Sequence, residues 1–407
     1  MMTSLSENRE IESTLSYYGW TVVGMCFLGS LVCFGFVYSF GVFLKPISSE
    51  FGWSRTVVSG AFSTYAILHD ILAFFAGRAI DRYGPRPVLS IAGLSLGLSM
   101  FVMSRVSAVW ELYLFFGVIF SIGVAATYVP VMTTVSWWFK AKRGLAIGLT
   151  AAGVGAGSLI FSPLSAWLIS SFGWRHAYVI LGLVAWILFI PVIAFIKKAP
   201  SGAGDVHPGS ESVTGLTFLE AVRTKTFWNF CLSWLFIAMA LFAIVIHLVP
   251  LATDRGMSIV AAGSLAGLIG GSSLIGRVGG GLLSDRFGRN RIYTSALIFQ
   301  CISIIWFLFS REVWMLFVFA ILFGIGLGTW TGVIAAFPAD YFGLRAAGTI
   351  LGFSIVMAGI GVAIGPSLGG YIFDRTKSYD YMIVMCILAA LAAIALSFMI
   401  KPVKQKP

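Results

Sequence analysis

The chain has 407 residues, 58% of them hydrophobic and only 11% charged, against the roughly 25% charged of a soluble domain. That leaves too few polar residues to cover a water-soluble fold of this size. The formal net charge of +11 suits anchoring to an anionic membrane leaflet and requires no nucleic acid.

Residues 1–18 carry Glu7, Arg9, Glu10 and Glu12. They lack the basic region and small-residue cleavage site of a removed signal peptide, so the segment is expected to remain. From Tyr18 onward, apolar stretches recur that meet the roughly 20 residues a membrane-crossing helix needs. Twelve spans are predicted, at about 19–44, 54–77, 87–106, 109–134, 144–170, 175–196, 226–252, 259–283, 292–310, 312–337, 347–372 and 379–400. Residues 199–218 interrupt the series with Gly, Pro and Ser, as a linker does. The expected organisation is a segment 1–18, a six-helix bundle 19–198, a linker 199–225, a second six-helix bundle 226–400 and a tail 401–407. The five cysteines, Cys26, Cys33, Cys231, Cys301 and Cys386, all fall in apolar segments and suggest neither a disulfide framework nor a metal site.

Lysine and arginine in the short loops set the expected orientation. Eighteen of the 27 basic residues fall on the side of the chain termini, among them Arg78, Arg82, Arg86, Lys140, Lys142, Arg143, Arg286, Arg289, Arg291 and Arg345. Eight fall on the other side: Lys45, Arg55, Arg105, Arg175, Arg255, Arg311, Arg375 and Lys377. Both termini are therefore expected in the cytoplasm of a cell whose inner membrane holds the protein.

The halves repeat each other. Gly77-Arg-Ala-Ile-Asp81-Arg-Tyr-Gly84 follows the second span and Gly281-Leu-Leu-Ser-Asp285-Arg-Phe-Gly288 the eighth; Trp138-Phe139 through Arg143 and Gly148 opens the fifth, and Tyr341-Phe342 through Arg345 and Gly348 the eleventh. A repeat of about 200 residues is, in membrane proteins, a mark of alternating access. The duplicated Gly-x-x-x-Asp-Arg-x-Gly pattern resembles the signature of the major facilitator superfamily across essentially the whole chain. Tyr18-Gly19-Trp20, Phe40 through Lys45, the Trp138–Gly148 stretch and an arginine in the eighth span look like the monocarboxylate transporter family and the related oxalate/formate antiporters. The resemblance implies an all-α fold of twelve transmembrane helices in two pseudo-symmetric six-helix bundles.

Asp81 with Arg82 and Arg86, and Asp285 with Arg286 and Arg289, are expected to act as gates, together with Arg143 and Arg345. A carboxylate at a helix end can pair with a nearby arginine in one state and release it in another. Gly148, Gly153, Gly155 and Gly157 in the fifth span, and Gly352, Gly359, Gly361, Gly365, Gly369 and Gly370 in the eleventh, are expected to let helices approach closely. Pro163 and Pro366 sit at matching positions and can kink those helices.

Arg277 is the charge that the eighth span cannot explain away. A guanidinium stays protonated, so inside an apolar helix it needs an anion, a carbonyl cluster or water. It lies eight residues before Asp285, about 12 Å of helix rise from the loop, and can snorkel only part of that way. Its fork suits a planar carboxylate, and the family's essential arginine aligns here. One cation matches a monocarboxylate better than a dicarboxylate. The lysine that the antiporters carry in their eleventh helix has no counterpart in residues 349–372. The lysine of the animal transporters' first helix aligns at Tyr38, and the acid one turn before their arginine aligns at Ser273, so proton coupling needs another carrier. Asp70, His69 and His247 are the candidates.

For the remaining wall of the site we select Leu28 and Tyr38, Phe120 and Tyr128, Leu149, Trp330 and Thr331, and Ser354. The expected function is alternating-access transport of a small monocarboxylate such as L-lactate or pyruvate together with a proton. The alternatives are exchange or uniport of small carboxylates such as formate or oxalate, and efflux of a larger organic anion. No phosphate-cradling loop, nucleophile–base motif or metal cluster is present in the sequence, so neither an enzyme nor a cofactor is expected. The expected partners are the anion, a proton and the bilayer, with the monomer as the working unit.

Overall fold

A bilayer offers no water to the backbone, so each apolar run must pair its own N–H and C=O groups, and helices result. The computed structural model describes residues 2–139, 142–198, 215–334, 336–343 and 345–401, with side chains from residue 18 onward. Linker residues 199–214, tail residues 402–407 and the loop residue Lys140 fall outside the described residues. The long helices are α1 (Met2–Phe51), α2 (Arg55–Tyr83), α3 (Pro85–Met103) and α4 (Val109–Trp138, π-helical over Tyr113–Phe120). Helical backbone then runs from Arg143 to Phe195, broken at Gly173 by φ 79° and ψ 160°. A positive φ costs glycine little, and this turn separates α5 (143–172) from α6 (174–195), where the sequence places the gap between its fifth and sixth spans. The second half comprises α7 (Lys225–Asp254), α8 (Ile259–Phe287), α9 (Arg289–Phe309), α10 (Val313–Ile334), α11 (Ala347–Thr376) and α12 (Asp380–Phe398). Twelve spans put both chain ends on one side, the terminal face; the other side is the opposite face.

The sequence repeat is also a structural one. Helices α2 and α8 each start at a serine whose hydroxyl accepts an N–H from the first turn: Val57 N to Ser54 Oγ and Ala261 N to Ser258 Oγ, both 3.2 Å. Each ends at the last glycine of the signature, Gly84 with φ 79° and Gly288 with φ 89°. Packing repeats with an offset of six helices: α1 on α5 and α7 on α11, α2 on α4 and α8 on α10, α3 on α6 and α9 on α12. The halves meet along three seams, α5 with α8, α2 with α11 and α1 with α7.

Small residues set these distances. Gly153 and Gly157 abut α1, whereas Gly155, on another face of the same helix, meets Gly270 of α8 across the halves. Likewise Gly361 and Gly365 abut α7, while Gly359 and Gly370 meet α2. Gly369 faces His247 and Met382, and nothing lies within 4 Å of a side chain built at Gly148 or Gly352.

A close backbone-to-backbone seam lies within the second half. A Cβ at Gly276 would strike the Ile325 carbonyl, one at Gly328 the Ser273 carbonyl, and one at Gly332 would lie 3.2 Å from Arg277 Cα. Helix α8 thus rests on the backbone of α10 along the stretch that carries Arg277. Gly328→Val is expected to cost at least the ~1–3 kcal/mol typical of overpacking. The checks are a lower melting temperature in detergent and loss of uptake.

Candidate functional site

A cavity of about 360 Å³ lies between the halves. Helical spacing of three and four residues turns its wall inward. Phe34 and Tyr38 come from α1, Tyr65, His69 and Asp70 from α2, and Tyr128 from α4. The second half adds Trp234 and Phe242 from α7, Arg277 from α8, Trp330 and Thr331 from α10, and Ile355 and Gly359 from α11. The lining is apolar and aromatic with a few convergent polar groups, the usual make-up of a small-molecule site.

Arg277 is half-buried, and among the described residues no carboxylate lies within ion-pair distance of it. Its Nε is buried without a hydrogen-bond partner. An unpaired guanidinium in such a place calls for an anion. From the other half, the His69 Nδ1 lies 3.0 Å from Asp70 Oδ1, and His69 Nε2 is buried without a partner. Asp70 also presses on α11: a Cβ at Gly359 would collide with its Oδ2. Tyr38, Tyr65 and Tyr128 line the cavity with phenols that make no hydrogen bond among the described residues. Trp330 is oriented by donating its Nε1–H to Gln300 Oε1 at 2.6 Å, and Thr331 donates to the Leu327 carbonyl at 2.8 Å.

The cavity is shut toward the opposite face. Asp254, at the end of α7, binds Lys45 Nζ at 2.8 Å and Arg55 Nη2 at 2.6 Å, both from the first half. Asp374, near the end of α11, accepts from Arg55 N at 3.0 Å and Thr56 N at 2.8 Å. Arg55 lies 3.7 Å from the Phe373 ring centroid and also donates to the Tyr379 hydroxyl. Burial holds the Tyr379 phenol above its usual pKa, so it stays neutral in this contact. Deeper in, Ser158 Oγ donates to the Ala266 carbonyl at 3.0 Å, and Ser63 and Ser367 hydroxyls lie 2.7 Å apart.

No such lock joins the halves at the terminal face among the described residues. Asp81, Arg82, Arg86, Arg143, Asp285, Arg286 and Arg345 are exposed there. Arg86 donates to the Ile193 carbonyl at 2.9 Å within the first half, and Arg289 pairs with Asp340 at 2.9 Å within the second. Arg82 and Arg286 lie over the aromatic residue that follows each, Tyr83 and Phe287, with 5.2 and 5.5 Å to the ring centroids. Among the described residues, neither Asp81 nor Asp285 makes an ion pair across the halves.

Of the wall residues selected from the sequence, Arg277, Tyr38, Tyr128, Trp330 and Thr331 line the cavity, as do Asp70 and His69. The others do not. Leu28 is ten residues before Tyr38, about 15 Å along the helix. Phe120 is fully buried in an aromatic cluster with Phe116 and Tyr65, with ring centroids 4.6 and 5.4 Å away. Leu149 is exposed nearer the terminal face. The Ser354 hydroxyl donates to the Ile350 carbonyl at 2.8 Å and faces Cys231 at 3.4 Å, while Leu351 and Ile355 beside it reach the cavity. His247 is buried beneath the opposite-face lock, between the Tyr379 hydroxyl at 3.2 Å and the Pro366 carbonyl at 2.8 Å. Sequence reading missed Tyr65, which sits one turn before His69 on the same face, and Phe34, one turn before Tyr38. That spacing was available as a signal.

The sequence profile of the Major Facilitator Superfamily matches residues 26–283 and 273–407. The chain is 27% identical to the MFS-type transporter YcxA of Bacillus subtilis (strain 168), over 91% of its own length and 92% of the relative's. It is 26% identical to monocarboxylate transporter 2 of Homo sapiens over 92% and 84% of the two chains. With the oxalate:formate antiporter of Oxalobacter formigenes it shares 28% identity over 91% and 90%. Among solved structures it matches a bacterial homologue of the human lysosomal transporter Spinster, in an inward-facing and occupied conformation. The TM-score is 0.79 at 17% identity, covering 94% of this chain and 97% of that one, a likeness of fold alone. Profile, duplicated signature and six-plus-six packing agree: the chain is a membrane transporter of the Major Facilitator Superfamily.

Proposed function

We propose that this transporter carries a small monocarboxylate such as L-lactate or pyruvate together with one proton. The observation that carries the reading is Arg277, a cavity-lining cation with no acid partner among the described residues. A carboxylate can take both arms of its fork, with the phenols of Tyr38 and Tyr128 and the Thr331 hydroxyl available to the rest of the molecule. The apolar wall suits a short alkyl group, and a cavity of about 360 Å³ is at the small end of ligand sites.

Charge accounts for the proton. Arg277 and Asp70 face the same cavity and balance while His69 is neutral. A monocarboxylate adds one negative charge, and a proton taken by the His69–Asp70 pair restores neutrality. The loaded and empty carriers then differ by no net charge, so the cycle does no work against the membrane potential, which costs about 2.3 kcal/mol per charge per 100 mV. Loading permits the bundles 19–198 and 226–400 to rock, breaking the Arg55–Asp254 lock while Asp81 and Asp285 find partners across the halves. The terminal face, with its excess of basic loops, is cytoplasmic under this reading, and the protein works as a monomer.

The test is uptake of radiolabelled L-lactate into liposomes holding the purified protein, with an imposed pH gradient. Uptake is expected to accelerate when the interior is alkaline, and to be inhibited by unlabelled pyruvate far more than by oxalate. Uptake indifferent to the gradient rejects the symport. Stronger inhibition by oxalate would favour the antiporter-like alternative.

A further inference from the structure

A second recess opens at the opposite face, directly over the lock, with a volume of about 430 Å³. Arg55, Arg255, Arg311 and Lys377 face it, against two carboxylates, Asp254 and Asp380. Asp254 is committed to Lys45 and Arg55 at 2.8 and 2.6 Å. Asp380 is shared by Arg255 and Arg311, each at 3.6 Å, well beyond the roughly 2.7–2.9 Å of a direct charge-assisted bond. Arg311 makes no other polar contact among the described residues, and Lys377 has no acid partner there. The Arg255 guanidinium is pushed below its usual pKa by burial and then by the charge of Arg311, against the upward pull of Asp380. Four cations thus face two carboxylates in this recess, an arrangement that attracts a small anion.

Resting on the transport reading above, we propose that this recess is a capture site for the transported class of anion, a small monocarboxylate, on the opposite face. The carboxylate is held between Arg311 and Lys377, while Arg255, whose Nη1 donates to the Ser310 carbonyl at 2.6 Å, adds its charge behind them, and the small alkyl group stays toward bulk water. From there it lies beside Arg55, whose hold on Asp254 keeps this face shut. An anion competing with Asp254 for that guanidinium weakens the bond between the halves. The recess thereby couples arrival of substrate on this side to release of the lock, and the same groups receive the anion when it leaves by this route.

The recess can be tested apart from the central site. Ser378 lines it, so an environment-sensitive fluorophore on Ser378→Cys, in protein also carrying Arg277→Gln, reports the recess with the central cation removed. Titration with sodium L-lactate at constant ionic strength is expected to give a saturable response in the millimolar range. Adding Arg311→Gln and Lys377→Gln should weaken it at least tenfold, with circular dichroism confirming the fold. A response equalled by sodium chloride or by neutral lactamide, or one that survives the double substitution, overturns the proposal. Absence of any saturable response overturns it too. Lactate uptake by the otherwise unaltered protein distinguishes that failure from failure of the transport reading.

Discussion

Arg277→Gln is expected to lower L-lactate uptake on the order of 10²–10³-fold, because losing one member of a buried, hydrogen-bonded charge pair costs roughly 2–5 kcal/mol. Stability should move the other way. Arg277 has no acid partner within ion-pair distance among the described residues, and its Nε is buried and unsatisfied, so neutralising it removes a desolvated cation that Asp70 balances only across the cavity and no carboxylate contacts. The melting temperature of the substrate-free variant is expected to equal or exceed that of the wild type, measured in the same detergent. Arg277→Lys keeps the charge but not the planar fork, and intermediate uptake, about tenfold below wild type, is expected. Full uptake by the glutamine variant would remove the proposed binding site, and a steep fall in its melting temperature would give the arginine a structural role instead.

The second large effect is expected at Asp70. Asp70→Asn preserves the shape that fits against Gly359 while deleting the negative charge that balances Arg277 in the cavity. A bound monocarboxylate then neutralises Arg277 without a proton. Uptake driven by a pH gradient should be lost, while exchange of internal for external lactate at equal pH persists. The loaded variant is neutral and the empty one carries one positive charge, so its net flux should respond to membrane potential where the wild type's does not. Persistent acceleration by an alkaline interior would show that another group carries the proton. His247 is then the next to test, being buried among Tyr379, Arg55 and Asp374 beneath the lock.

The frame was legible because a bilayer writes it strongly: twelve apolar runs, a repeated signature and a charged residue inside one run. The break between α5 and α6 could be placed at the Gly173 region although helical backbone continues on both sides. Pairing of faces was less legible. In water one face of a helix is polar, but here lipid and protein interior are both apolar, so phase alone could not tell Tyr38, which faces the cavity, from Phe120, which packs inside a bundle. Ser354 shows the size of the error: Leu351, three residues before it, and Ile355, the next residue, reach the cavity, while its hydroxyl is spent on its own helix. The opposite-face lock was not read from the sequence at all. Arg55 and Asp254 are about 200 residues apart, and Arg55 and Asp374 more than 300. Each sits at a helix end where a solvated charge is unremarkable until the halves are brought together.

The most direct measurement is a structure of the purified protein with L-lactate bound, at a resolution that shows side chains. Its carboxylate is expected within hydrogen-bond distance of the Arg277 guanidinium, with the methyl group against the aromatic wall and the His69–Asp70 pair facing the same space. Lactate bound elsewhere in the cavity, with Arg277 turned to lipid headgroups or to a protein carboxylate, would contradict the proposed site.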